Sequence, residues 1–247
     1  MLCLRQDLWC WQIQRCPATQ LLRKNKEYGV VAMYKKFGKR LIDIVLSACG
    51  IVVLTPVWIM LAIAIKADDP GPIFFKQKRI AQDDNGEKRF FLIYKYRSMK
   101  MCTPKDCPTH LLENPEQYIT KVGGFLRKTS LDELPQIFNI FMGKMSIIGP
   151  RPALWNQDDL YAERAKYGAN AVKPGLTGRA QINGRAELPI DVKPKLDGEY
   201  VEKLSFAFDV KCFFGTITSV LKHEGVVEGG TGVLEKETKK AENNRKN

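Results

Sequence analysis

Apolar positions are unevenly spread along this chain. The densest run is Leu41 to Ile65, LIDIVLSACGIVVLTPVWIMLAIAI, and about 20 such residues suffice to span a bilayer. Pro56 lies inside it. Proline lacks the backbone donor and clashes with the carbonyl four residues back, here Val52, so it bends or breaks a helix. Basic residues flank both ends, with Lys35, Lys36, Lys39 and Arg40 before the run and Lys66 after it. Positive charge at both ends predicts that both face the cytoplasm. Two readings stay open at this point: a kinked single span, and a helix that enters, bends and returns.

Beyond Lys66 the pattern changes to short alternating elements. DDPGP (Asp68 to Pro72) reads as a turn, Ile73 to Lys78 as a strand, DDNG (Asp83 to Gly86) as a hairpin turn and Arg89 to Tyr96 as the returning strand. His110 to Tyr118 reads as a loop or short helix. Ser130 to Met142, Leu154 to Tyr167 and Lys195 to Lys203 read as helices. In Phe206 to Leu221, the residues Phe206, Phe213, Phe214, Ile217 and Leu221 suit one helical face. That face has two available fates, packing on the domain or lying in a membrane interface, of which core packing is the commoner. The tail from Glu235, EKETKKAENNRKN, has the composition of disordered chain. No internal repeat is visible.

The pattern predicts an α+β protein: a basic flank with a broken apolar helix, then a mostly helical domain with a small β-hairpin or sheet. Residues 33–67 would hold the basic flank and anchor, 68–230 the cytoplasmic domain and 231–247 the charged tail. Residues 1–32 hold Cys3, Cys10, Cys16, Trp9 and Trp11 in no periodic order, without an h-region or cleavage site. Met33 opens MYKKFGKRLIDIV, a natural start for a basic flank and helix, so 1–32 is read as a dispensable extension.

Composition narrows the partners. The formal net charge is +12 and the pI about 9.3, which favours anionic headgroups, nucleic acid or phosphorylated substrates. Seven cysteines at irregular spacings suit free thiols in a reducing compartment. The CTPKDC stretch, Cys102 to Cys107, has no second cysteine pair for a metal site. The only two histidines, His110 and His223, have no recognisable partner, which disfavours a His-based triad or a His-rich zinc site.

The candidate chemistry centres on TSLDELPQ, Thr129 to Gln136. Asp132 and Glu133 are adjacent carboxylates near a helix start, and Ser130 with Glu133 matches the capping box S-x-x-E. Pro135 suits a first turn. A helix cap needs no further function, and locally that reading is sufficient. The surroundings add cations: Arg127 and Lys128 before the pair, Arg151 in GPRP, and Arg179 and Arg185 in the glycine-rich PGLTGRAQINGR. Arginine grips phosphate oxygens in fork geometry, and glycine-rich loops bring backbone donors near an anion. Two carboxylates amid arginines suit Mg²⁺-assisted phosphoryl transfer.

In order along the chain, KRLIDIVLS, GPIFFKQKRI, FLIYKYRSM, VGGFLRKTSLDELPQIFNIFMGKMSIIGPRP and KPGLTGRAQINGR resemble the motif series of the bacterial sugar transferases, the monotopic phosphoglycosyl transferases. The resemblance runs from about Lys39 to Arg185, and the chain after Met33 resembles the compact members made of anchor and catalytic domain. It implies transfer of a sugar 1-phosphate from a UDP-sugar to undecaprenyl phosphate, with UMP leaving and a glycan begun at the cytoplasmic face of the bacterial inner membrane. Partners implied are the UDP-sugar, the polyprenol carrier, membrane lipid and downstream glycosyltransferases, with no nucleic acid. Asp132 matches the family nucleophile and would form an acyl-phosphate. Glu133 would help place Mg²⁺ or orient Asp132, so both carboxylates are implied as metal ligands. Lys95, Arg97, Arg127, Gln136, Arg151, Arg179 and Arg185 are the implied substrate-binding set. The resemblance also implies a re-entrant helix-break-helix anchor; Thr55-Pro56 stands where members carry Ser-Pro or a related pair in its break, and a Thr hydroxyl can still bond a freed carbonyl. Ala81 stands where members carry glycine after the strand, which leaves the local turn in question.

The logic of a covalent intermediate is independent of the family. One substrate is soluble and the other lies in lipid, so a carboxylate visited by each in turn splits one transfer into two. Asp43 at the anchor's entrance should sit at headgroup level or pair with a base. Two rivals are a single-span enzyme whose carboxylates only bind metal during direct attack by the carrier, and a non-catalytic basic protein at a membrane surface.

Overall fold

The computed structural model describes residues 29, 31–83, 87–103, 114–184, 188–189 and 191–221. The extension at 1–28, the hairpin turn at 84–86, His110, Arg185 and the charged tail lie outside the described residues.

The apolar run forms two helices. A π-turn at Tyr34–Gly38 leads into α1 (Lys39–Val53), and α2 (Thr55–Asp68) follows after Leu54. The axes of Val31–Val53 and Thr55–Asp68 differ by 61°. Pro56 opens α2, where its missing donor is tolerated, and the Thr55 hydroxyl donates to the Ile51 carbonyl at 3.0 Å. At 1.5 Å per residue, the apolar part of the first arm (41–53) and α2 are each about 20 Å long, short of a hydrocarbon core of about 30 Å. No single helix among the described residues is long and apolar enough to cross a membrane, though the bent pair passes that test together. Val45, Leu46, Val52, Val53, Ile59, Met60 and Ile63 are exposed on this pair.

The base of this helix pair is tied to the rest of the chain by polar contacts. Arg40 donates to the Ile140 and Phe141 carbonyls at 2.6 and 2.7 Å, the favourable end of α4 (Gln136–Phe141) for a cation. Asp43 is 3% exposed and accepts from Ser146 Oγ at 3.1 Å and Ile147 N at 3.0 Å. No base among the described residues reaches it at salt-bridge distance, though Lys39 and Arg40 act on it through their charge. The carboxylate is satisfied instead by neutral donors at the start of β3 (Ser146–Ile148).

Strands β1 (Phe74–Ile80) and β2 (Phe90–Tyr96) pair antiparallel, with Phe75 opposite Lys95, Gln77 opposite Ile93 and Arg79 opposite Phe91. Directly opposed residues share a face. Arg79 and Lys95 therefore stand on the face that buries Phe91 and Ile93. Buried Asn139 of α4 stitches that helix to β2, accepting from Tyr94 N at 3.0 Å and donating to Leu92 O at 2.8 Å. Ala81 closes the strand end without a glycine, its N–H donating to Arg89 O at 2.9 Å.

Helix α3 (Lys121–Lys128), which the pattern did not announce, is doubly capped: Gly123 N donates to Thr120 Oγ1 at 2.9 Å and Val122 N to Asp68 Oδ2 at 2.7 Å. A Cβ at Gly123 would lie 2.0 Å from Ser98 O, so only glycine allows this approach. The helix expected over Ser130 to Met142 is broken. Ser130 is left-handed (φ 59°), Leu131–Glu133 is one 3₁₀ turn, and α4 begins only after Pro135. Ser130 makes no side-chain cap, so the capping-box reading is corrected.

A second, parallel pair joins β3 to β4 (Gly175–Thr177). Helices α5 (Asp158–Ala165), α6 (Val192–Glu202) and α7 (Phe206–Leu221) complete the chain. Core packing of the aromatic stripe on α7 is also corrected. Phe206, Phe213, Phe214 and Ile217 are exposed, and the inward face carries Phe208, Asp209 and Cys212. Burial pushes the Cys212 thiol up to about 11, so it is an inert filler rather than a nucleophile. Mixed helices with two small sheets make this an α+β fold.

Candidate active site

The 3₁₀ turn at Leu131–Glu133 has two sides. Leu131 and its successor Leu134 pack on a core of Leu61, Ile65, Tyr96 and Leu126, which fastens the turn against α2. Asp132 and Glu133 project to the other side, into a set of cations. Lys95 Nζ donates to Glu133 Oε1 at 2.8 Å and lies 3.9 Å from Asp132 Oδ2. Arg151 grips Glu133 with both terminal nitrogens, Nη1 at 3.1 Å from Oε2 and Nη2 on Oε1. Arg151 is aimed by its neighbours, since Pro150 and Pro152 stiffen the backbone on either side.

The two carboxylates are held differently. Burial alone would raise the pKa of Glu133, but Arg151 and Lys95 outweigh it and hold the group well below the usual carboxylate range. Asp132 is raised by burial and by the Glu133 charge, against the pull of Lys95, Arg127 and Arg151. No hydrogen bond from the described residues reaches Asp132. It is a carboxylate among cations with free lone pairs, as an attacking group requires.

The other implied residues divide. Arg127 stands at the end of α3, its Nε donating to Ser98 Oγ at 2.9 Å and its charge acting on Asp132. Gln136 is 2% exposed and its Nε2 has no acceptor among the described residues. Arg97 is drawn away: Nε donates to Pro72 O at 2.7 Å, while both terminal nitrogens bind Asp69. It closes the end of α2. Arg179 pairs with Glu199 of α6 at 3.0 Å, outside the carboxylate pair. Arg185 lies outside the described residues. Thr55 and Pro56 belong to the anchor break described above.

A Cβ on Gly175 would meet Gly149 N at 2.1 Å, and one on Gly178 would meet Gly149 O at 2.2 Å. These glycines let the loop pack backbone to backbone on GPRP, beside Arg151.

Two residues were missed. Arg79 lies within electrostatic reach of Arg151 and Glu133, and burial with the Arg151 charge lowers its pKa to about 10. Strand alternation carried the signal, because Arg79 shares a face with Lys95. Lys193, in the first turn of α6, lies within electrostatic reach of Arg164, Arg151, Asp197 and Arg79. Nothing in its local sequence marks it.

The donor set for a divalent cation is Asp132 with its open lone pairs and Glu133 Oε2, which keeps one lone pair beyond Arg151. Among the described residues no group of three His, Cys, Asp or Glu side chains clusters as a metal cage. The pair suits Mg²⁺ in its usual manner, one or two carboxylates completed by substrate phosphate and water.

Residues 34–223 match the model of a family described as bacterial sugar transferase. A UDP-glucose:undecaprenyl-phosphate glucose-1-phosphate transferase of Escherichia coli (strain K12) is 39% identical over 186 residues, covering 72% of this chain and 39% of that protein. An uncharacterised sugar transferase of Bacillus subtilis (strain 168), EpsL, is 40% identical over 189 residues, 76% of this chain and 89% of the relative. An undecaprenyl-phosphate galactose phosphotransferase of Salmonella typhimurium is 33% identical over 204 residues, 77% of this chain and 42% of the relative. This chain thus spans about two fifths of the first and third of these proteins and most of the second.

Proposed function

As the chain belongs to the bacterial sugar transferase family, we propose that it moves a sugar 1-phosphate from a UDP-sugar to undecaprenyl phosphate, releasing UMP. The observation that carries this reading is the two-sided turn at Leu131–Glu133: its leucines sit on α2, and its carboxylates face Lys95 and Arg151.

The reaction runs in two steps. A carboxylate oxygen of Asp132 attacks the sugar-proximal phosphorus, the bond to the bridging oxygen breaks, and UMP leaves with that electron pair. The acyl-phosphate so formed carries the sugar. A phosphate oxygen of the polyprenol then attacks the same phosphorus and Asp132 departs as carboxylate, giving the polyprenyl diphosphate sugar. Lys95, Arg127 and Arg151 offset charge on the non-bridging oxygens. Glu133, held anionic by Arg151 and Lys95, keeps those cations aimed at Asp132. Mg²⁺ held by Asp132 and Glu133 would supply charge neutralisation on the diphosphate when bound.

The anchor is re-entrant and monotopic in this reading, with both ends on the cytoplasmic side of the inner membrane. The bend at Pro56, the shortness of each arm and the exposed aliphatics support it. In the same reading α7 turns its aromatic face to that interface, which the exposure of Phe206, Phe213, Phe214 and Ile217 supports. The product begins a cell-surface glycan. The test is UMP release from a panel of UDP-sugars with undecaprenyl phosphate and Mg²⁺. Turnover with at least one sugar, dependent on the carrier and lost on chelation, is expected. No UMP release from any UDP-sugar by protein in lipid contradicts it.

A further inference from the structure

The chain turns sharply between α4 and β3, and the two parts of the active site lie on either side of that corner. The carboxylate turn at Leu131–Glu133 leads into α4. Arg151 follows β3, on a segment that β4 holds through Gly149 N donating to Thr177 O at 2.7 Å and Gly175 N to Pro150 O at 2.9 Å. Met142, Gly143, Lys144 and Met145 join the two elements. Gly143 has φ 79°, the left-handed backbone that a tight reversal after a helix needs. Arg151 and Glu133 meet across the corner, with Nη1 3.1 Å from Oε2. The angle of the corner therefore governs how Arg151 meets the carboxylates.

Helix α1 lies across this corner and holds both arms from a single turn. Arg40 takes the α4 side, donating to Ile140 O at 2.6 Å and Phe141 O at 2.7 Å. Its Nη2 would lie 3.1 Å from a Cβ at Gly143, so the guanidinium fills the corner itself. Asp43, three residues on and so on the same side of the helix, takes the β3 side. Its Oδ1 accepts from both Ser146 Oγ at 3.1 Å and Ile147 N at 3.0 Å. Packing alone does not require a carboxylate here. Asp43 is buried, and a buried charge without a cation at salt-bridge distance among the described residues costs stability that an apolar side chain would not. What aspartate supplies is a short, fixed reach. With a single methylene between backbone and carboxylate, Oδ1 is set relative to α1, and the Ile147 N–H is set relative to Oδ1.

We propose that Asp43 is a positioning residue of the transfer reaction. By holding β3 against α1 while Arg40 holds α4, it sets the distance and angle at which Arg151 addresses Glu133 and the reacting phosphate. This inference rests on the transferase reading above. Asp43 touches no substrate; it acts through Ile147 and the backbone that leads to Arg151. The same helix continues into the exposed aliphatics of the bent pair, so the geometry of the site is registered to the element that the proposed function places in the membrane.

The experiment makes Asp43→Ala, Asp43→Asn and Asp43→Glu, each alone and together with Arg151→Gln, as full-length protein in lipid nanodiscs. UMP release is followed with the UDP-sugar that wild type turns over, below the lowest melting transition of the set. Asp43→Ala should lower kcat about tenfold or more, the scale of a small misplacement transmitted from outside the reacting groups. Asp43→Asn keeps the Oδ1 acceptor for both donors and should stay within about threefold of wild type. Asp43→Glu keeps the charge but lengthens the clasp by a methylene, and should lose turnover as Asp43→Ala does. With Arg151→Gln already present, Asp43→Ala should change kcat by less than about twofold, because the side chain it positions is gone. Wild-type kcat in folded Asp43→Ala overturns the inference, as does an equal loss with and without Arg151. An Asp43→Asn as slow as Asp43→Ala, or an Asp43→Glu as fast as wild type, also overturns it. Should Asp43→Ala not fold, Asp43→Glu takes its place with and without Arg151→Gln, and a loss there that ignores Arg151 counts equally against the inference. Wild type that releases no UMP sinks the transferase reading itself, and this inference with it; an active wild type without the losses above sinks this inference alone.

Discussion

Two acidic nodes sit in this fold, and they are built on opposite plans. Asp209 on α7 receives Tyr34 and Lys39 from the anchor's base, each at 2.5 Å, and Tyr200 from α6 at 2.8 Å. It is 6% exposed, and both its oxygens are engaged. The pair Asp132–Glu133 divides its labour instead. Glu133 is saturated by Lys95 and Arg151, while Asp132 keeps open lone pairs 3.9 Å from the nearest ammonium. A saturated carboxylate is a fastener. An unsaturated one beside fixed cations is prepared to react, and its neighbour keeps those cations in place.

Asp132→Asn should break this comparison most sharply. It keeps shape and burial but removes the attacking anion, so turnover should fall roughly 10³-fold or more while the melting temperature holds or rises. Glu133→Gln should cost turnover about 10²-fold and lower stability as well, since Arg151 and Lys95 lose their shared partner. Asp209→Asn should do the reverse, lowering the melting temperature by several degrees with kcat and both KM values within about twofold below the transition. If Asp209→Asn instead removed turnover from a folded protein, the two nodes would not differ in kind.

The pH profile sharpens the contrast further. Burial raises the pKa of Asp132 above the ordinary 3.8, and only its anion attacks. Turnover should therefore fall, as pH is lowered, through a midpoint above that value. A rate constant down to 3.8 would contradict the assignment. The smallest effect expected is at the anchor break. Thr55→Val removes the bond to Ile51 O and should cost about 1 kcal/mol of stability, measured by chemical denaturation in detergent.

The parts legible in the sequence are those where one physical signal dominates. The bent helix pair showed itself through apolar density broken by Pro56, and the hairpin through alternation between turn residues. Asp132 and Glu133 were found through a motif series, not through local pattern, which favoured a helix cap. That cap reading failed because Ser130 adopts a left-handed backbone and Pro135 delays α4, so the carboxylates sit on a separate turn. Helix α3 was hidden by Gly123 and Gly124, both poor helix formers, of which Gly123 packs its backbone on Ser98. Arg97 and Arg179 were illegible for a common reason. Whether a cation meets Asp69 or Glu199 depends on contacts remote in sequence.

The central claim is most directly tested by intact-mass measurement of purified protein mixed with UDP-sugar and Mg²⁺ in the absence of undecaprenyl phosphate. The account predicts one added sugar phosphate on wild type, released when the carrier is supplied and absent in Asp132→Asn. An unmodified wild-type mass under conditions that support turnover with carrier, or an equal adduct on Asp132→Asn, would contradict it.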